Sequence, residues 1–485
     1  MTALPTALKR RQIGLLSLVM VTFFIVSGGP FGLEELVSAS GPGLALLLIV
    51  VTPLIWAVPS ALAVAELSSM MPVEGGYYAW VKRALGPFWG FQEGWWSWLQ
   101  SFVDMAIYPV LFASYLSALL ERLGLEGLGD DPIARWLPAL GVIWAFTLLN
   151  VLGARPVGLS SILFGAIVLA PFVVMSYLGL SQLAEAENVP WQPLVPADQP
   201  LLNAFGVGLF IVMWNYSGWD SPSTVGEEIT RPARAIPLTL LITVPLITLV
   251  YLLPVLAGLV GTPDWTAWEE GSLPEIAAAV GGDWLGVWVA AVGMVSAAAL
   301  FSGNLLSVSR LPFVMAADGY FPRALAGVSA RYGTPVVSIV LCSAIYSLFS
   351  YQEFSWLVVV DVILYAASIL LELAALVALR VRRPDARRPY RVPFGWAGIA
   401  VVVVLPTLML ALAIVATLQD AESTEAVYVA GGALLSGVAL YPLLRFAFKR
   451  GAPDVFVPLD GDGNDEGWLD GALPRLVPKA RPTWR

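Results

Sequence analysis

Ten carboxylates stand within or at the ends of apolar stretches of the sequence: Glu34, Glu35, Glu66, Glu93, Asp104, Asp220, Glu227, Glu228, Asp361 and Glu372. A charge at the centre of a bilayer costs about 2.5 kcal/mol or more, so an acid in such a stretch is a functional suspect. No Lys or Arg lies deep in the same stretches to pair with them. Surplus buried anions invite a mobile cation: a substrate, a metal ion or protons. The chain has no His and one Cys, Cys342. Zinc, disulfide, Ser-His-Asp and Cys-His chemistry therefore lack raw material. Proton handling near neutral pH must fall to carboxylates.

Two interruptions in the apolar pattern would position these acids. Ser27-Gly28-Gly29-Pro30-Phe31-Gly32 sits in the middle of the first long apolar stretch. Each Gly there costs about 1 kcal/mol and the Pro about 3 relative to Ala, so no continuous helix is expected. The sixth stretch has its own weak point at Asn215-Tyr216-Ser217-Gly218, followed by Pro222. Freed backbone groups survive in lipid only inside a bundle or beside a cavity. Breaks five spans apart are expected of two inverted five-helix repeats, which place a substrate site near the bilayer midplane. Taken singly, either break also reads as an ordinary kink.

The elements around the breaks follow from composition. Of 485 residues, 58% are apolar and 13% charged, against about 45–50% and 25% in soluble domains. The mean hydropathy is +0.78. A polytopic membrane protein is the only class that fits, and no β-barrel alternation appears. Twelve helical spans are predicted near 13–39, 44–71, 88–120, 136–153, 157–183, 201–227, 237–262, 285–316, 334–350, 355–379, 395–418 and 425–447. Residues 1–12 form an N-terminal segment, 13–183 a first repeat, 201–379 a second, 395–447 two further helices and 451–485 a polar tail. With the N-terminus inside, 24 of the 26 Lys and Arg fall on cytoplasmic segments, leaving only Arg122 and Arg135 outside. That asymmetry predicts both ends cytoplasmic and a multi-pass cell-membrane location. Outer segments carry Glu185, Glu187, Asp198, Asp264, Glu269, Glu270, Glu275 and Asp283, either for solubility or as a funnel for cations.

The segments SGGPFGLEELVSASGP, AELSSMMPVEGGYYAWVKRALGPFWGFQEGW, WNYSGWDSPSTVGEEITRPARAIP and RYGTP resemble the amino acid–polyamine–organocation transporter superfamily. Within it the chain is similar to the polyamine uptake transporters first described in plants and protozoa, from about residue 12 to 447. The resemblance implies an all-α LeuT-like fold of ten core helices plus two, and proton-coupled import of polyamines. It also implies a site lined by the broken helices and the third span.

On that reading Ser27, Gly28, Gly29 and Gly32 shape the first break, and Glu34 and Glu35 follow it. In amino acid transporters of this fold the half-helix N-terminus receives the substrate's carboxylate. Two protein carboxylates near that end would repel a third, while a polyamine's ammonium groups would find acceptors. Alternatively the glutamates only cap the half-helix, and which of them faces the cavity stays open. Asn215, Tyr216, Ser217, Trp219 and Asp220 surround the second break, and Asp104 and Tyr108 lie in the third span. Trp214 stands where related transporters place a gating aromatic. Asp361 and Tyr365 complete the candidate set as an amine contact or proton carrier and a wall. Aromatics in membrane proteins serve packing as often as binding. Glu66, Glu227 and Glu228, near the cytoplasmic ends, either pair with Arg231, Arg234 or loop amides or take part in transport.

The expected partners are a small cationic substrate, protons and the bilayer. No cofactor, metal or nucleic acid is expected, and no disulfide-linked heavy chain, since the loop after the third span has no Cys. Sodium is the lesser ion. The fifth span lacks the lysine that replaces sodium in some proton-coupled relatives, and Ser302, Ser307 and the backbone near Ser27 offer sodium-like ligands. The rival readings are a permease for neutral or cationic amino acids, a substrate-sensing receptor on the same fold, and an intramembrane enzyme. The last lacks any nucleophile–base pair, and no GxxxxGK[ST] signature supports a primary pump.

Overall fold

A computed structural model of the protein describes residues 11–129, 131–184, 189–197, 199–262, 264–269, 271–351, 354–417 and 424–448. Residues 1–10, the acidic Glu185, Glu187, Asp198 and Glu270, and the tail 451–485 lie outside the described residues. Among the described residues no strand forms, and two isolated bridges join Ile13 to Ile229 and Glu74 to Val225.

The first span divides into α1 (Leu15–Val26) and α2 (Glu34–Ser40). The second is α3 (Pro42–Thr52) and α4 (Val58–Met70), joined by a π-helical turn at Pro53–Ala57, and α5 (Gly76–Leu85) follows. Next come α6 (Pro87–Arg122), α7 (Pro132–Leu152), α8 (Ala154–Ser181) and α9 (Leu201–Asn215). After them run α10 (Pro232–Gly261), α11 (Leu273–Gly281), α12 (Asp283–Val308) and α13 (Arg310–Ala317). The chain continues through α14 (Val336–Phe349), α15 (Phe354–Arg382), α16 (Gly395–Thr417) and α17 (Thr424–Phe448). Among the described residues nine helices are long and apolar enough to cross a bilayer. Three shorter apolar helices, Leu15–Val26, Leu201–Asn215 and Val336–Phe349, stand at the first, sixth and ninth expected spans.

Helices satisfy their own backbone in hydrocarbon, so a break must borrow partners from its neighbours. At the first break α12 supplies them. The Ser296 hydroxyl donates to the Gly28 carbonyl, and the Asn304 amide donates to the Ile25 carbonyl at 3.4 Å. Gly28 has φ +68°, and a Cβ there would sit 2.6 Å from Leu300 Cδ1. Only glycine fits both the backbone and the space.

The sixth span differs from its expected course through residue 227. α9 stops at Asn215, and the chain continues through 3-10 turns at Ser221–Thr224 and Gly226–Glu228, with no second α-helical half before α10. Gly218, with φ +94°, and Pro222 prevent helix propagation, and short polar side chains take over the backbone's bonding. The Thr224 hydroxyl donates to the Ser221 and Ser307 carbonyls at 2.8 and 3.0 Å.

α6 runs through the centre, packed along α12 and α15, while α8 and α10 cover α1. α16 lies against α9 and α4, and α17 against α6 and α15. On the face that carries the N-terminal end of α1, the chain is tied to the end of the sixth span. The amides of Gln12 and Ile13 donate to the Glu228 carbonyl at 2.6 and 3.0 Å, and Thr230 N–H donates to the Ile13 carbonyl at 2.8 Å.

Arg310 corrects the expectation that no cation lies deep in the chain. It is 0% exposed, with Nη2 2.7 Å from Glu228 Oε1 and Nε 3.7 Å from Glu74 Oε1. It begins α13 because the eighth expected span divides at Ser309. For Glu66 the expected loop amide is found, Val392 N–H donating to its Oε2 at 2.8 Å, but the arginines are corrected. Glu66 pairs with Arg380 of α15 at 2.5 Å and with Arg388 of the following loop at 3.1 Å. Glu228 pairs with Arg310 of α13, because these segments reach the acids from the other half of the chain.

Candidate substrate cavity between the broken helices

Two helices place acids on one face by periodicity alone. On α6, Glu93, Ser97, Gln100, Asp104 and Tyr108 recur at intervals of four, three, four and four residues. On α15, Asp361, Tyr365, Ser368 and Glu372 recur at four, three and four. Such spacing stacks side chains along one side of a helix. The two faces meet, with Gln100 Nε2 donating to Asp361 Oδ1 at 2.6 Å and Ser97 Oγ to Ser368 Oγ at 3.1 Å.

Between these faces and the two breaks lies an internal cavity. Ser27 and Phe31 line it from the first break, and Trp214, Asn215, Ser217, Gly218 and Asp220 from the second. Asp104 and Tyr108 contribute from α6, Leu300 and Asn304 from α12, Asp361 and Tyr365 from α15, and Tyr77 from α5. The cavity has room for several waters.

The cavity has two acidic poles. At one, Asp104 accepts from the Tyr108 hydroxyl at 2.8 Å and from the Trp214 indole, with Asp361 beside it. At the other, the Tyr365 hydroxyl donates to Asp220 Oδ1 and accepts from Gly218 N–H, each at 2.9 Å. One tyrosine thus fixes both the break and its carboxylate. Asp361 and Tyr365 are one turn apart, a rise of about 6 Å along α15 between their backbone positions. Among the described residues no ion pair engages Asp104, Asp220 or Asp361.

The other candidates lie elsewhere. Gly28, Gly29 and Gly32 shape the first break without lining the cavity. Glu34 is 1% exposed. Its Oε2 accepts from Gly32 N–H at 2.7 Å and its Oε1 from Leu273 N–H at 3.3 Å. It caps the break and the start of α11. Glu35 is half-buried beside Glu269, so neither glutamate lines the cavity. Tyr216 turns away, donating to the Ile49 carbonyl at 3.0 Å. Trp219 is fully buried and donates to the Tyr216 carbonyl at 2.7 Å. Of the sodium-like candidates, Ser302 Oγ accepts from Asn150 Nδ2 at 3.3 Å.

The structure adds residues that sequence reasoning passed over. Gln100 holds Asp361, Tyr77 lines the cavity from α5, and Asn304 lies 3.4 Å from the Tyr108 hydroxyl. The periodic polar stripe of α6 was the signal for Gln100. A lone amide in the apolar α12 was the signal for Asn304.

The amino acid permease family matches residues 16–435. The chain is 37% identical over 454 residues to polyamine transporter PUT1 of Oryza sativa subsp. japonica, covering 92% of this chain and 81% of that protein. It is 34% identical over 442 residues to polyamine transporter RMV1 of Arabidopsis thaliana, covering 91% and 87%. It is 26% identical over 434 residues to the mouse b(0,+)-type amino acid transporter 1, covering 85% and 84%. The crystal structure of MhsT in complex with L-phenylalanine shares the fold, with a TM-score of 0.64 at 12% identity over 84% of this chain and 100% of that one. That neighbour carries the LeuT-like arrangement expected from the breaks. The chain belongs to the amino acid permease family and is a multi-pass membrane transporter, not an enzyme.

Proposed function

We propose that the protein imports polyamines of the putrescine and spermidine class by alternating access, in symport with protons. It does so in the cell membrane, with the N-terminal face cytoplasmic. The observation that carries this reading is the pair of acidic poles. Asp104 with Asp361, and Asp220 with Tyr365, face one cavity with no ion-pair partner among the described residues. A linear diamine supplies one ammonium to each pole and lays its methylenes against Leu300 and the ring of Trp214.

The first break supports the same substrate class. A half-helix N-terminus attracts anions, but here Glu34 already accepts from Gly32 N–H. An amino acid's carboxylate would have to displace it and would then lie beside a buried acid. The relatives named as polyamine transporters, at 34% and 37% identity, weigh in the same direction. Orientation rests on the Lys and Arg asymmetry of the sequence. Protons fit as the coupling ion because buried carboxylates outnumber the charges a diamine brings.

Proteoliposomes loaded with pH-buffered lumen test this directly. Labelled putrescine and spermidine should accumulate when an inward proton gradient is imposed, and unlabelled arginine or leucine should compete poorly. Arginine or leucine displacing putrescine at lower concentration than putrescine itself would refute the substrate assignment.

A further inference from the structure

The pole at Asp220 continues into a part of the protein that no guest in the cavity touches. Glu372 on α15 adjoins Asp220, and Glu93 on α6 faces both. Glu93 and Glu372 are 0% and 1% exposed. Both oxygens of Glu372 and Oε2 of Glu93 lack a hydrogen-bond donor, and neither acid has an ion-pair partner among the described residues. The remaining titratable neighbours are phenols: Tyr77 on α5 and Tyr365 on α15. On α4, Glu66 is already closed by Arg380 and Arg388. On α17, Tyr441 packs with its ring tilted against Phe91 and Tyr320.

An ionised carboxylate without a donor is among the costliest groups to bury, and it takes up a proton instead. Two adjacent carboxylates are both acceptors, so Glu372 and Asp220 form a hydrogen bond only when one of them holds a proton. Counting the polar seam gives the same result. Glu93, Asp104, Asp220, Asp361 and Glu372 are five acids, and a diamine brings two positive charges, so three are left for protons in a closed state. Glu372 is the acid of the five with no donor on either oxygen.

We propose that Glu372, backed by Glu93, carries the co-transported proton and donates it as a hydrogen bond to Asp220, which thereby stays ionised for the substrate's ammonium. The proton arrives from water, adds to a carboxylate oxygen of Glu372 and leaves as the same proton, with no bond made to the substrate. A site holding the ammonium alone leaves Glu93 and Glu372 ionised in a dry interior. The closed state is therefore accessible only with both guests aboard, which is the requirement for symport. This assignment rests on the polyamine reading above and names its coupling group.

The test uses full-length wild type and Glu372→Gln, whose amide keeps a donor toward Asp220 but cannot release it. In proteoliposomes the variant should lose putrescine accumulation driven by the proton gradient, while gradient-independent putrescine counterflow persists. Wild-type accumulation in folded Glu372→Gln would overturn the assignment. Should Glu372→Gln fail to fold, Glu372→Asp serves instead. It keeps the carboxyl but moves it a methylene back, so proton-driven accumulation should persist with a displaced pH profile, and a wild-type profile would overturn the assignment. A second readout needs no substrate: infrared spectra of purified wild type at neutral pH should show protonated-carboxyl absorption whose intensity falls by one carboxyl in Glu372→Gln. An unchanged band overturns the proton site even where putrescine flux is normal. If wild type moved no diamine, the polyamine reading would fall while the band still judged Glu372.

Discussion

If two poles each hold one ammonium, the advantage of a diamine over a monoamine is itself a property of the structure. Asp220 is 4% exposed and accepts from Tyr365 at 2.9 Å. Asn at this position keeps the oxygen that the phenol needs, so the break should survive. An ammonium 4 Å from a carboxylate gains about 4 kcal/mol at an effective dielectric of 20. Part of that is lost to desolvation, and removing one partner of a buried hydrogen-bonded pair costs about 2–5 kcal/mol. At the lower figure, Asp220→Asn should weaken putrescine about 30-fold. Butylamine can still use the pole at Asp104, so its affinity should change by no more than a few-fold. Competition against labelled putrescine in detergent, on wild type, Asp220→Asn and Asp104→Asn with both amines, gives the coupling energy. Equal weakening of both amines, or of neither, would refute the two-pole arrangement.

Glu228→Gln removes the carboxylate charge that lies 2.7 Å from the Arg310 guanidinium, 0% exposed, while leaving an amide oxygen to accept from it. It should cost about 1.5–3 kcal/mol, read as a lowered thermal unfolding midpoint. Arg310→Met combined with Glu228→Gln should cost less than the two singles added. Glu74 lies in the loop before α5, where burial, followed by the neighbouring Glu228, raises its pKa well above the usual carboxylate range. Below about pH 4 it is protonated in both folded and unfolded chains. As pH rises past that value the unfolded chain ionises first, and the folded state loses stability up to the raised value. Glu74→Gln should therefore match wild type at pH 4 and melt higher at pH 8, and a variant that melts lower at pH 8 would contradict this. Gly28→Ala puts a Cβ 2.6 Å from Leu300 Cδ1 at φ +68°. The backbone strain alone is about 1–2 kcal/mol, and both the melting midpoint and flux should fall.

Much of this site was legible because membrane physics writes it in residue types. Three Gly and a Pro within Ser27–Gly32 cannot be helical, and an acid inside an apolar stretch needs a reason. Asp104, Asp220 and Asp361 were three of ten acids found on that ground, Asp220 marked further by the break and Asp104 by the resemblance, and all three line the cavity. What stayed hidden depended on which turn of chain meets which. Arg310 reads as the end of a span until the helix is seen to divide at Ser309, which turns the guanidinium inward to Glu228. Likewise Glu66 finds Arg380 and Arg388 more than 300 residues away in sequence, a pairing no local pattern announces. Tyr216 and Trp219 flank the break, yet Tyr251 and the turn of the chain draw them out of the cavity.

Glu34 and Glu35 carry the most informative discrepancy. Sequence reasoning left them either as acceptors for the substrate or as caps of the half-helix, and the structure gives Glu34 to the backbone. The inference about charge survives by a different route. A broken helix in this fold offers its N–H groups to whichever anion arrives. In this chain Gly32 N–H is already occupied by the carboxylate two residues on, so the helix end discriminates by being full. The cavity then presents acidic poles where an amino acid would need a docking point for its carboxylate. Selection for amines thus follows from two separate choices: an internal carboxylate that closes the anion site, and unpaired acids that open a cation site. Glu34→Ala separates them. It should leave putrescine affinity within a few-fold of wild type while admitting amino acids as weak competitors, and a variant that lost putrescine binding without unfolding would return Glu34 to the binding site.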